Sequence, residues 1–188
     1  MKRFFWWVTI GVIVGLLLLT LTSSSEKSKD LEGIFKYRFG MSPSEAQIVA
    51  DGILERSSEP STIPGLVEYS TDQGHLFNRS GNINVPAGLC LSFYKNKLTG
   101  IIVEFPEQED MGLAMKIVAE LRSDTLGYYD ESLVCRDEFY PNDKLAVITL
   151  RDSDGDGLLL MWDGLTIFLC SMTGELLKLD PECEEFFE

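Results

Sequence analysis

Histidine is the scarcest chemically useful residue in this 188-residue sequence, because His75 is the only one. A single histidine excludes metal sites built from several imidazoles, and it leaves one candidate base for a serine or cysteine nucleophile. Its neighbours Gly74, Leu76 and Phe77 form no nucleophile-elbow motif. We therefore predict that His75 lies in an exposed loop and that the chain is not an enzyme.

Basic residues are also few, with 16 Lys and Arg against 30 Asp and Glu and a formal net charge of −14. A surface this acidic repels nucleic acid and anionic lipid headgroups. The composition therefore predicts no nucleic-acid partner. It suits a basic protein partner or cations, and solubility is the simpler explanation of the same charge.

The four cysteines lack metal-site spacing, since they lie far apart and none belongs to a C-x-x-C motif. This spacing argues against a zinc site and against a redox dithiol. In an oxidising compartment an even count predicts two disulfides, with three connectivities open, and buried thiols are the alternative. The candidates are Cys90, Cys135, Cys170 and Cys183. A disulfide at Cys183 would tether the acidic C-terminus.

One long uncharged run is present, at residues 4–21, directly after Lys2 and Arg3. As a helix it would reach about 27 Å, near the thickness of a bilayer core. The preceding basic pair predicts a cytoplasmic N-terminus and an exported remainder. The length favours a retained membrane anchor over a cleaved signal peptide, whose apolar core has about 7–15 residues. Cleavage near Ser23 to Ser25 is the alternative, and it would leave a secreted or periplasmic protein.

The predicted organisation has four parts. Residues 1–25 form a signal-anchor or signal peptide, and residues 26–32 form a polar linker. Residues 33–179 form a single extracytoplasmic domain, and residues 180–188 form an acidic tail.

Two helices are predicted inside the domain. Ser42, Pro43 and Glu45 form a capping box with proline at the first helical position, which predicts a helix over residues 43–56. Asp110 caps a second predicted helix over residues 111–124.

Alternating apolar residues predict a hairpin from residues 89–94 and 101–105, followed later by strands at 145–150, 158–162 and 165–170. Asp163-Gly164 is a strong hairpin-turn signal between the last two strands. The order predicts an α+β fold with two helices packed on one face of an antiparallel sheet. Its two halves would form a degenerate helix–hairpin repeat.

Phe39-Gly40-Met41-Ser42 followed by Glu45, together with the later hairpin, Trp162 and Gly164, carries a resemblance. The chain resembles small exported bacterial proteins of helix-plus-antiparallel-sheet build, such as the beta-lactamase-inhibitor-like fold and the small lipoproteins of outer-membrane assembly. The resemblance implies a binding module. It transfers no catalytic residue, because the shared motif serves capping and packing.

A candidate calcium loop begins at Asp152. Asp152, Asp154 and Asp156 occupy loop positions 1, 3 and 5, glycine occupies position 6, and Asp163 falls at position 12. Carboxylates at this spacing can present oxygens to one calcium ion. The flanking segments are predicted strands, so an EF-hand is excluded and a β-loop-β calcium site is the hypothesis. A polar hairpin turn is the alternative.

A second group of acids, Glu104, Glu107, Glu109 and Asp110, could in principle supply a glycosidase pair. A solvated strand end and a helix cap explain these residues more simply. We therefore predict a membrane-tethered, extracytoplasmic binding or structural module without catalysis. The alternatives are a small exported hydrolase that uses His75 or two carboxylates, and a calcium-dependent binding module.

Overall fold

The computed structural model describes residues 27–50, 52–77, 84–106, 110–184 and 187. The apolar run at residues 4–21, predicted to cross the membrane, lies outside the described residues. Within the described residues, no helix is both long enough and apolar enough to span a bilayer.

Ten strands and four α-helices form the described part of the chain. In chain order they are β1 (Gly33–Ile34), β2 (Tyr37–Arg38), α1 (Pro43–Val49), β3 (Glu55–Arg56), β4 (Leu66–Phe77), β5 (Asn84–Tyr94), β6 (Lys97–Phe105), α2 (Met111–Tyr128), β7 (Val134–Tyr140), β8 (Leu145–Arg151), β9 (Gly157–Trp162), β10 (Ile167–Met172), α3 (Gly174–Leu177) and α4 (Pro181–Glu184).

Eight of these strands form one antiparallel sheet in the order β3-β4-β5-β6-β10-β9-β8-β7. Strands adjacent in sequence are neighbours within each half, and the β6–β10 pair joins the halves, with Val103 opposite Leu169. β1 and β2 form a separate small hairpin. The sheet therefore brings together residues that lie far apart in the sequence.

The predicted α+β class is wrong, because antiparallel strands are the main secondary structure, at 43%, and helices are few. Only α2, of 18 residues, is a long helix packed on the sheet. α1 has 7 residues and buries Ala46 alone. The predicted pair of helices on one face of the sheet is therefore wrong. The predicted helix–hairpin repeat is wrong for the same reason.

α1 begins where the sequence predicts. Ser42 Oγ accepts a hydrogen bond from the backbone N–H of Glu45, and the Glu45 carboxylate accepts one from the backbone N–H of Ser42 at 2.8 Å. These two reciprocal bonds satisfy amides that the first helical turn leaves without partners. The capping box is confirmed.

α1 ends at Val49, well before the predicted end at residue 56, because the following residues form a turn. The Gln47 side chain donates to the Gly52 carbonyl at 3.0 Å and accepts from the Leu54 amide at 2.9 Å. These bonds satisfy the turn backbone without a helix. Ile53, which helical spacing places on the apolar side, is 77% exposed.

α2 begins at its predicted cap, where Asp110 Oδ1 accepts from the amides of Gly112 at 2.9 Å and Leu113 at 3.3 Å. It continues to Tyr128, past the predicted end at residue 124. One face of α2 packs against the sheet through Ala114, Ile117, Val118 and Leu121.

Alternating residues of the central strands form the core beneath α2, as expected for strands with one face toward a helix. Burial of these apolar side chains is the main favourable term for folding. The largest fully buried side chains of this cluster are Leu91, Phe93, Leu98, Ile101, Phe105, Ile148, Leu150, Leu160, Trp162 and Ile167.

A second, smaller cluster lies on the opposite face of the sheet. There α3, α4 and Phe187, which we call the C-terminal cap, cover Leu159, Cys170 and Met172. Phe187 is 2% exposed and lies over Gly157, where a Cβ would approach its ring to 2.5 Å. Part of the segment predicted as an acidic tail therefore belongs to the folded domain.

The sheet has two ends, which we define by their loops. The tether end contains residues 27–31, 129–134 and 151–157, because Ser28 pairs with Tyr129 and the Leu31 amide bonds to Asp152. The far end contains residues 105–106, 140–145 and 163–166. The chain enters the domain at the tether end.

Candidate functional site

The β8–β9 loop, proposed from sequence as a calcium site, is organised by hydrogen bonds to Asp152. Its Oδ1 accepts from the amides of Asp154 and Asp156, both at 3.0 Å. Its Oδ2 accepts from the Leu31 amide at 2.9 Å, across 121 positions of sequence. Asp152 therefore fastens the entering chain to the sheet. Gly155, with φ of 85°, supplies the left-handed conformation of the turn.

Asp156 connects the same loop to the C-terminal cap, because its Oδ1 accepts from the Gly174 amide at 2.8 Å. Burial raises the pKa of the Asp156 carboxyl, and the nearby Asp152 and Asp154 carboxylates raise it further, while the Gly174 hydrogen bond opposes the increase. Three acids thus crowd this loop. Asp154 is exposed at its tip.

Asp163 does not join the other three aspartates. It follows β9, whose six residues separate it from the β8–β9 loop by about 20 Å. Its Oδ1 accepts from the amides of Leu165 and Thr166 at 2.9 and 2.8 Å, and the bonds to Thr166 and Leu165 lower the pKa of Asp163. The described residues contain no group of three or more His, Cys, Asp or Glu arranged to hold a metal ion. Calcium binding by the remaining three aspartates stays a prediction.

Three of the four cysteines share one face of the sheet. Cys90 lies opposite Ile102, and Ile102 lies opposite Cys170, so Cys90 and Cys170 flank one intervening strand. Cys183, in α4, packs against the cluster that contains Cys170. Cys135 is exposed on the edge strand β7, three strands from β10.

His75 and the described members of the second acidic group, Glu104 and Asp110, lie in different parts of the fold. His75 lies in β4 opposite Pro86, so its predicted loop location is wrong. Glu104 lies in β6 opposite Gly88 and Phe168. Asp110 caps α2. The other two acids of that group, at 107 and 109, lie outside the described residues.

A groove that sequence reasoning missed crosses the sheet from β3 and β4 to β6, toward the far end. It consists of two cavities of about 320 Å³ and 240 Å³ that adjoin at Asp72, beside the bulge between Thr71 and Gly74. We call it the acidic groove. Its lining residues are Ile53, Glu55, Ser70, Thr71, Asp72, Pro86, Ala87, Gly88, Glu104, Phe105, Pro106 and Thr166.

The charged side chains among the described lining residues of the acidic groove are all acidic. Glu55, Asp72 and Glu104 contribute carboxylates, and no Lys or Arg is among the described lining residues. All three acids are exposed to solvent. Ile53, Pro86 and Pro106 add exposed apolar surface. A groove of this composition is complementary to a cationic side chain with an aliphatic stem, such as lysine or arginine.

No local motif could have revealed the acidic groove, because its residues come from five separate segments. The register of β4, β5 and β6 brings those segments together, and a β-bulge positions Asp72. The one available signal was global, namely the excess of acidic residues.

Comparison with known proteins finds no family model that matches the chain. No curated protein and no solved structure matches it either. The resemblance to exported proteins of the beta-lactamase-inhibitor-like fold stays a prediction.

Proposed function

We propose that this protein is a membrane-tethered, extracytoplasmic binding module that receives a basic partner in the acidic groove. The proposal combines the uncharged run at residues 4–21 and its basic flank with the position of the groove on the folded domain. The single observation that carries it is the groove lined by Glu55, Asp72 and Glu104, with no lysine or arginine among its described lining residues.

The position of the tether supports this function. Ser28 donates its amide to the Tyr128 carbonyl at 2.9 Å and accepts from the Asp130 amide at 2.8 Å. These bonds hold the entering chain at the tether end. The larger cavity lies at the far end, beside Phe105 and Thr166. A membrane anchor before residue 27 would therefore leave the groove pointing away from the bilayer.

The expected strength of the interaction follows from solvent exposure. An exposed ion pair contributes about 0.2–1 kcal/mol, so Asp72 and Glu104 together supply about 1 kcal/mol, or roughly fivefold in affinity. Salt weakens such pairs. Tight binding to a single lysine is not expected, and an extended basic segment that contacts both cavities suits the groove better.

A cross-linking experiment tests the proposal. Octalysine carrying a benzophenone group is mixed with the full chain in neutral detergent micelles, irradiated, and the attachment sites are mapped by mass spectrometry. We expect attachment to concentrate near Asp72, Pro86 and Thr166. Attachment spread evenly over the acidic surface, including the Asp154 loop at the other end, would show that net charge alone attracts the peptide and would overturn the proposal.

A further inference from the structure

The C-terminal cap places two cysteines in one apolar cluster. α4 carries Cys183, which packs against the buried group that includes Cys170 of β10. Cys183 Sγ donates a hydrogen bond at 3.3 Å to Oδ2 of Asp180, the residue that precedes α4. The cluster thus joins a half-buried thiol on the cap to a fully buried thiol on the sheet.

The cap is held in place on both sides of Cys183. Before it, Leu176 and Leu177 are buried, and after it Phe187 lies over Gly157. The Arg151 guanidinium also pairs with the Glu184 carboxylate at 2.9 Å. The cap therefore holds Cys183 against the apolar cluster that contains Cys170.

Two other pairings of Cys170 are unfavourable in this fold, those with Cys90 and with Cys135. A disulfide requires Cα atoms about 4.4–6.8 Å apart. Cys90 and Cys170 flank a whole strand, which separates their Cα atoms by about 10 Å. Cys135 lies three strands from Cys170, or about 14 Å across the sheet. Among the described residues, Cys183 is therefore the one cysteine that packs against the apolar cluster of Cys170.

We propose that Cys170 and Cys183 form a disulfide when the protein meets a disulfide oxidant, and that this bond locks the C-terminal cap onto the sheet. The proposal does not depend on the acidic groove.

The chemistry is a thiol–disulfide exchange in two steps. The more accessible Cys183, as thiolate, attacks a small-molecule disulfide such as oxidised glutathione, and one glutathione thiolate leaves. Cys170, after losing its proton to water, attacks the Cys183 sulfur, and the second glutathione leaves. The two protein thiols lose two electrons and two protons, and the oxidant is reduced to two thiols.

The environment of Cys170 makes this order of events reasonable. Burial raises the pKa of the Cys170 thiol, and neighbouring Cys183 and Cys90 raise it further. Burial, followed by Glu68, raises the pKa of Cys90 to about 11. Because the Cys170 thiol holds its proton firmly, Cys170 is a poor first nucleophile, and the initial attack is made by Cys183.

Tryptic mapping tests the pairing, because trypsin places each cysteine in a different peptide. Residues 80–95 contain Cys90, residues 123–136 contain Cys135, residues 152–178 contain Cys170 and residues 179–188 contain Cys183. The full chain in detergent micelles is treated with oxidised glutathione, blocked with N-ethylmaleimide and digested. We expect 152–178 joined to 179–188. A link between 80–95 and 152–178, or complete blocking of all four thiols without any link, overturns the proposal.

Hydrogen exchange tests the locking. We expect amides 176–184 to exchange about tenfold more slowly in the oxidised than in the reduced protein. Cys183→Ser should abolish this difference, and the matched control Cys135→Ser should keep it. Equal exchange in both redox states of the native chain contradicts the locking, even if Cys183→Ser fails to fold.

Discussion

Asp152→Ala is the substitution that probes the β8–β9 loop most sharply. The native carboxylate accepts from three amides, those of Leu31, Asp154 and Asp156. Alanine removes both carboxylate oxygens, and with them all three hydrogen bonds, and it leaves the turn backbone in place. Asp152→Asn is a graded version, because its amide oxygen can replace Oδ1 while its NH₂ group cannot accept from Leu31.

The magnitude follows from the burial of the three amides. The Asp154 amide is exposed, so water replaces its lost bond at little cost. The amides of Leu31 and Asp156 are partly buried, and each loses a bond to a charged acceptor, worth about 1–1.5 kcal/mol here. We therefore expect Asp152→Ala to lower the free energy of unfolding by about 2–3 kcal/mol, and Asp152→Asn by about half as much.

Urea unfolding of the full chain in neutral micelles, followed by circular dichroism, measures these differences. Asp154→Ala is the matched control, because it removes a carboxylate from the exposed tip of the same loop. We expect the control to change stability by less than about 0.5 kcal/mol. If Asp152→Ala were no more destabilising than Asp154→Ala, Asp152 would not fasten the entering chain, and the reasoning would be refuted.

Three further predictions concern the same region. Thr149 is 1% exposed, and its hydroxyl has no hydrogen-bond partner among the described residues. Thr149→Val should therefore raise the free energy of unfolding by about 1 kcal/mol in urea titrations. A loss of stability would contradict this prediction. Asp156 has a raised pKa, so the folded state binds its proton more tightly than the unfolded chain and loses this stabilisation as pH rises through the raised value. Asp156→Asn keeps an acceptor for the Gly174 amide and removes the charge. Thermal melts should therefore show the variant more stable than the native chain at pH 7, and this gain should vanish below about pH 4. A gain that persists in acid would contradict the electrostatic cause. Millimolar calcium and a chelator should give the same melting temperature if the aspartates serve only as acceptors for backbone amides, whereas a clear rise with calcium would establish the site that the sequence suggests.

Local signals predicted the starts of elements better than their ends or their packing. The capping box at Ser42 and the Asp110 cap each begin a helix where expected. The end of α1 depends on the Gln47 side chain, which takes backbone groups of the following turn. β4 extends to Phe77 through a polar stretch that sequence reasoning assigned to a loop, because pairing with β5 stabilises it around a bulge.

The candidate sites also differ in how well the sequence alone predicts them. The Asp152 loop is contiguous and was found from sequence, although only its neighbours reveal that Leu31 and Gly174 bind its carboxylates. The acidic groove and the approach of Cys183 to Cys170 both depend on contacts between distant segments. The spacing of residues along the chain does not predict such contacts.

The affinity of octalysine for two charge-matched double variants tests the central claim most directly. Asp72→Asn with Glu104→Gln removes two charges from the acidic groove, and Glu59→Gln with Asp154→Asn removes two from exposed positions outside its lining. Isothermal titration calorimetry of the full chain at low salt should give a Kd about fivefold weaker for the groove variant than for the control. Equal Kd values for the two variants would show that the whole acidic surface attracts the peptide, and would contradict a dedicated groove for a basic partner.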